Sequence, residues 1–282
     1  MPIIIPILAV IGCALANGIS TVCQKTGADE EAKVKSLDLM LLLRMLENVP
    51  YIWGIILGIV GWVLSLVALQ VFPIFLVQSV MAASIVVTAI GERIVTHRAL
   101  GRKVYAAILV VVVGLGLVGI SARPAKASLG NSSVHLAIEL APIVLILLGV
   151  LFIYVKNYIS ATVLAILSGI SFGGTSVVGR IIQYPHGIGS LLIDPLVWAL
   201  VLYAVIGQYL FTVALQRASG TKINALMVVA QTLVPSALGL LYFDDKIRSN
   251  FEGIALIGAA VVIVGCIVIG RVDKEIPKNV AM

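Results

Sequence analysis

The sequence predicts an all-α polytopic membrane protein of about nine transmembrane helices, arranged as two structural repeats inverted in the membrane. Three observations predict it. Apolar residues make up 61% of the 282-residue chain and charged residues 11%, with a mean hydropathy of +1.15. A soluble chain of this size cannot hide that much apolar surface, whereas a bilayer can. The apolar residues also form continuous runs, which fit helices rather than the alternating strands of a barrel. Finally, the second half of the chain echoes the first.

Nine runs approach the roughly 20 residues a helix needs to cross a hydrocarbon core. They lie near 3–22, 51–70, 73–91, 104–121, 137–155, 159–178, 195–215, 223–242 and 252–270. Gly and Pro recur inside them, as they do in membrane helices. The segment from Leu37 to Leu46 is apolar except for Asp38 and Arg44. It is too short to cross as a straight helix and reads as interfacial or re-entrant; thinning or tilt would be needed to make it a tenth span.

Basic residues orient these spans. With the N-terminus outside and the C-terminus inside, fourteen of the 19 Lys and Arg fall on the cytoplasmic side and five outside. That is the sense of the positive-inside rule. A crossing by 37–46 would turn the split into 11 against 8. Topology and attraction to inner-leaflet lipid thus account for the +6 charge, and no nucleic acid partner is implied. Met1–Ile11 lacks the basic start of a signal peptide and reads as part of a retained first span of a cytoplasmic-membrane protein. Cys13, Cys23 and Cys266 suggest no disulfide framework, and His97, His135 and His186 have no zinc spacing, so neither metal site nor cofactor is expected.

The internal echo runs through several elements. Ser65–Leu66–Val67–Ala68–Leu69–Gln70 matches Phe211–Thr212–Val213–Ala214–Leu215–Gln216. Each leads through an apolar span to a short charged turn, Gly91–Glu92–Arg93–Ile94 or Asp244–Asp245–Lys246–Ile247. A Gly and a Gly-rich span follow each turn. Gly12–Gly18 likewise echoes Gly169–Thr175. The first repeat is therefore read as 1–121, a linker as 122–134, the second repeat as 135–270 and a cytoplasmic tail as 271–282. The first turn falls inside and the second outside, which inverts the repeats; such repeats underlie alternating access.

The Ala-Leu pair, a span with a mid-helix Pro, the acidic–basic–Ile turn and the Gly that follows resemble the drug/metabolite transporter superfamily, of EamA-like type. Ala214–Leu215, Pro235, Asp244–Asp245–Lys246–Ile247 and Gly253 carry the resemblance, with Ala68–Leu69, Glu92–Arg93–Ile94 and Gly101 in the first half. The nine-span count and Phe72–Pro73–Ile74–Phe75–Leu76–Val77 are also similar to its branch proposed to carry magnesium. Gln78–Ser79 and Ser65 depart from that branch's pattern. The resemblance implies a membrane transporter rather than an enzyme, and no hydrolytic, redox or nucleotide-binding motif argues otherwise.

Polar side chains within spans are costly and so informative. Gln78 and Gln231 each lie 14 residues before a charged turn, about 21 Å along a helix, which brings both near the midplane where inverted-repeat transporters bind solute. Asn17, Ser20, Thr175 and Ser176 sit beside glycines in the paired first spans. Trp62, Gln208 and Tyr209 sit in the paired spans before the Ala-Leu marks. These form the candidate substrate-binding set, with helix–helix packing as the competing role for each. Glu139 is the candidate proton-coupling group, since a carboxylate in an apolar run tends toward protonation. Glu92, Arg93, Asp245 and Lys246 read as structural turns or gates.

The leading function is a secondary transporter for a small neutral, zwitterionic or amphiphilic organic solute, acting as an exporter. A magnesium transporter or channel is one alternative, and a non-transporting membrane scaffold or assembly partner is another. The expected partners are the solute, lipid and protons or another coupling ion. A dimer is compatible with the sequence.

Overall fold

The computed structural model of the chain describes residues 4–31, 38, 40–69, 81, 83–96, 101–123, 132–155, 158–181, 194–242 and 246–272. Ten helices run through them: α1 (Ile4–Glu30), α2 (Leu41–Met45), α3 (Val49–Leu69), α4 (Ser84–Thr96), α5 (Arg102–Ser121), α6 (Ser132–Tyr154), α7 (Tyr158–Ile181), α8 (Pro195–Leu215), α9 (Gly220–Tyr242) and α10 (Glu252–Val272). Two short strands, β1 (Ala122–Arg123) and β2 (Lys246–Ile247), pair antiparallel between the halves. Five helices are long and apolar enough to cross a bilayer outright, with shorter apolar stretches at Val49–Ser65 and Glu252–Gly265.

The distribution of side chains is that of a membrane protein. Leu147 is 65% exposed and Leu256 74%, while Thr88, Ser160, Ser168, Ser171 and Thr212 are all sealed inside. In water that arrangement would be inverted; in lipid, apolar residues face outward and small polar ones tie helices together. The chain is a multi-pass membrane protein.

Among the described residues the helices lie along the predicted runs, with 73–80 and 82 of the third run falling outside those residues, and three helices depart from their expected bounds. α1 continues eight residues past the expected end at 22. Its apolar run stops there, but Gln24, Lys25, Ala28 and Glu30 are good helix formers, and Lys25 pairs with Asp29 one turn on. α4 likewise runs to Thr96 and so takes in Glu92 and Arg93, read from sequence as a turn. The segment 37–46 holds only the five-residue α2, far too short to cross a membrane. Leu41 and Met45 are buried against α8, and Arg44 on its exposed side pairs with Glu31 and Asp38. α6 begins at Ser132, within the expected linker.

Close approaches fix the relative directions of neighbouring helices. Gly54 of α3 meets Ser20 and Gln24 of α1, while Gly61 meets Asn17, so α1 and α3 are antiparallel. Gly18 of α1 meets Val87 of α4, and Gly91 of α4 meets Val22, so α1 and α4 are parallel. In the second half, Ser168 and Ser171 of α7 donate to the carbonyls of Gly207 and Tyr203 of α8, an antiparallel pair. Gly169 and Gly173 of α7 meet Met227 and Pro235 of α9, a parallel pair. Across the halves, α4 lies antiparallel to α9 and α5 antiparallel to α10. The latter two cross where a Cβ on Gly114 would stand 3.0 Å from the Gly258 carbonyl oxygen, and one on Gly258 would stand 2.9 Å from that of Gly114. α6 packs outside α7 and α8.

Candidate functional site

The polar groups of this apolar bundle converge on the seam between its halves, toward the end that holds the α8–α9 connection. Two networks cross it. In the first, Ser20 of α1 donates to the Gly54 carbonyl at 2.6 Å and accepts from Gln24 Nε2 at 3.0 Å. Gln24 Oε1 accepts from Gln208 Nε2 of α8 at 2.8 Å, and the same nitrogen donates to the Tyr51 hydroxyl of α3, also at 2.8 Å. Tyr51 shares a 2.6 Å hydrogen bond with Thr212. Gln208 is thus held by α1 and α3 together, and Gln24 and Tyr51 are buried around it.

In the second network, Glu92 of α4 is 8% exposed. Its Oε1 accepts from the Gly220 amide at 3.0 Å, and its Oε2 accepts from the Thr221 amide at 2.7 Å and the Thr221 hydroxyl at 2.6 Å. α9 has no acidic residue in its own first turn. A carboxylate from the other half of the chain therefore satisfies its unpaired amides and complements its dipole. One turn along, Asn224 Nδ2 donates to Thr88 Oγ1 at 2.8 Å, and Thr88 donates to the carbonyls of Ser84 and Gly18. Lys25 of α1 bridges Asp29 and the Leu215 carbonyl at the end of α8. A cavity of about 220 Å³ opens beside these groups, lined by Lys25, Asp29, Thr88, Glu92 and Gly220 among others.

Arg217, in the α8–α9 connection, anchors the same end. Its guanidinium donates to the carbonyls of Phe152 and Ile153 in the last turn of α6 and to the Ser160 hydroxyl. A cation there complements the negative end of α6. Burial holds this guanidinium below its ordinary pKa, and the nearby Tyr209 offsets only part of that shift.

The sequence-derived candidates distribute unevenly. Ser20 and Gln208 meet in the first network. Asn17 faces Gly61 across the α1–α3 contact, but its side chain bonds back to Cys13. The Tyr209 hydroxyl accepts the Asp38 amide, tying α8 to the residues before α2. Trp62 is 60% exposed and points away from the bundle, and Ser176 is exposed as well. Thr175 bonds within its own helix to Phe172, and Gln231 is half-buried in α9, where its carbonyl faces Gly173. Glu139 is half-buried on α6 beside Ile138, whose carbonyl accepts from the Tyr203 hydroxyl. Arg93 is exposed. Gln78, Asp245 and the side chain of Lys246 lie outside the described residues, as do Phe72–Val77 and the tail beyond Val272. Sequence reasoning missed Gln24, Tyr51, Thr88, Thr212, Thr221 and Asn224. Gln24 could have been found by following helix propensity past the end of the apolar run.

Among the described residues, no three His, Cys, Asp or Glu gather as a set able to hold a metal ion. No family model matches the chain, and no solved structure matches it. One curated relative is a protein of Arabidopsis thaliana named "Probable magnesium transporter NIPA9". It is 22% identical over 284 aligned positions, covering 93% of this chain and 82% of the relative. The likeness therefore runs nearly the length of the chain, and the protein it is similar to is named as a probable magnesium transporter.

Proposed function

We propose that this chain is a secondary transporter whose two halves are inverted repeats, and that its solute passes along the seam between them by alternating access. The helix directions support the inversion. α1 runs with α4, α4 runs against α9, and α9 runs with α7, so α1 opposes α7, the helix whose Gly169–Thr175 echoes its own Gly12–Gly18. α3 runs against α1 and α8 against α7, and the closing helices α5 and α10 cross antiparallel at paired glycines. In this reading the end bearing the α8–α9 connection faces the cytoplasm, as the basic residues demand.

One observation carries the transport reading. In a chain this apolar, the amides of Gln24 and Gln208 and the hydroxyls of Ser20, Tyr51 and Thr212 meet where the halves face each other. Such groups exchange partners with a polar solute at small net cost, because each hydrogen bond lost to the protein is regained with the solute. The set suits a small neutral or zwitterionic metabolite. A second reading, magnesium, is supported by the name of the relative. The same amide, hydroxyl and carbonyl oxygens are hard ligands that suit a partly hydrated divalent ion. Glu139 remains the proposed coupling carboxylate on α6.

The test is a thermal-shift screen of the purified protein against metabolites and Mg²⁺, followed by flux of the hit into proteoliposomes. Gln208→Ala and Gln24→Ala should each weaken the hit about 2- to 10-fold, the cost of one hydrogen bond to a neutral group. Unchanged affinity in both would remove the seam from the solute path. A shift by Mg²⁺ alone would decide for the second reading.

A further inference from the structure

We propose that Glu92 is the latch that holds one end of the transport path shut. Its two carboxylate oxygens bind the first turn of a helix 128 residues further along, and nothing else in that turn supplies a negative charge. This inference rests on the transporter reading for its meaning, but its geometry is independent of any solute.

The argument follows from position. α4 and α9 belong to opposite halves, and alternating access requires them to part at one end while they close at the other. At the end bearing the α8–α9 connection their contact is made by side chains. Glu92 binds Gly220 and Thr221, and Thr88 binds Asn224 one turn deeper. Side-chain hydrogen bonds can be surrendered without unwinding a helix. Glu92 also lines the cavity that opens to this end, beside Lys25, Asp29 and Thr88. An entering group that donates hydrogen bonds therefore reaches the same carboxylate that α9 uses. It competes with the helix for it, and release of Gly220 and Thr221 frees the two halves to separate. Thr88 is fully buried beneath this contact and reports on its opening.

The experiment places a single cysteine at Thr88 (Thr88→Cys) in a chain with Cys13, Cys23 and Cys266 replaced by Ala. Its reaction with a membrane-impermeant methanethiosulfonate reagent is measured from each side of reconstituted vesicles. Reactivity from the α8–α9 end should rise about 10-fold in Glu92→Ala, since charge-assisted hydrogen bonds that favour the closed state are lost. Glu92→Gln keeps the shape and one acceptor, and should give a smaller rise. Thr221→Val removes only the hydroxyl and should give the smallest. That graded order, on one side only, supports the latch. Reactivity unchanged in Glu92→Gln and Thr221→Val, both close in size to the native residues, overturns it even if Glu92→Ala fails to fold. A rise of equal size from both sides also overturns it, because it means general loosening. The two readings fail separately. Graded reactivity without flux of any solute leaves the latch and removes the transporter; flux with unmoved reactivity leaves the transporter and removes the latch.

Discussion

The two ends of the bundle are joined in different ways. At the end bearing the α8–α9 connection, the halves meet through side chains: Glu92 on the start of α9, Gln208 between Gln24 and Tyr51, and Lys25 on the Leu215 carbonyl. At the other end, the described link between halves is made by main chain. β1 pairs with β2, and the Arg248 amide donates to the Ser121 carbonyl. Side-chain links break one at a time and can be replaced by a ligand. A backbone ladder beside the α5–α10 crossing does not trade partners in that way. The contrast teaches where links are replaceable: side-chain hydrogen bonds gather at one end, and main-chain pairing forms a clasp at the other.

The comparison can be broken most severely at Arg217. Arg217→Leu strands the carbonyls of Phe152 and Ile153 at the end of α6, which should cost about 2–3 kcal/mol and lower the melting temperature in detergent. Arg217→Lys should recover only part of this loss, since an ammonium cannot fork between two carbonyls and a hydroxyl as a guanidinium does. A melting temperature equal to wild type in Arg217→Leu would mean the anchor is idle.

A smaller effect is expected at Gln208. Gln208→Leu leaves Gln24 Oε1 without its donor across the halves and removes one from Tyr51, which should cost roughly 1–2 kcal/mol. The double change Gln24→Leu/Gln208→Leu should cost less than the sum of the singles, because the second substitution removes a group already left without its partner. Strict additivity in that cycle would show that the two amides do not depend on each other.

The smallest effect belongs to the clasp. Arg248→Pro deletes the amide that reaches the Ser121 carbonyl, a single backbone hydrogen bond worth about 1 kcal/mol. The melting temperature should barely move. A fall as large as that of Gln208→Leu would erase the distinction between the ends.

Much of this was legible in the sequence. Hydropathy places the helices well, because a lipid-facing residue must be apolar wherever it lies along the span. The same signal fails at helix ends. α1 and α4 continue into polar sequence, so Gln24 and Glu92 looked like flanking residues when both are buried inside the bundle. Glu139 drew notice as a carboxylate in an apolar run, yet Glu92 is the more deeply enclosed. Trp62 fails for the opposite reason: an aromatic in a span is equally at home in lipid, and only packing tells which way it points. Neither Tyr51 nor Thr212 carries a sequence signal, since their meeting depends on how α3 of one half docks on α8 of the other.

The glycine crossing of α5 and α10 gives the molecule unequal lever arms. From Gly114 to the clasp at Ser121 is seven residues, about 10 Å of helix, while from Gly114 to the opposite end at Arg102 is twelve, about 18 Å. The two backbones approach closely there, with Val261, Val262 and Leu117 packed around the contact, so the crossing can serve as a fulcrum. A tilt of about 10° around it would move the short, clasped arm by roughly 2 Å and sweep the long one through roughly 3 Å. Bulk added at the fulcrum, as in Gly114→Leu or Gly258→Leu, would therefore act at a distance, shifting how far the free ends travel rather than what they touch.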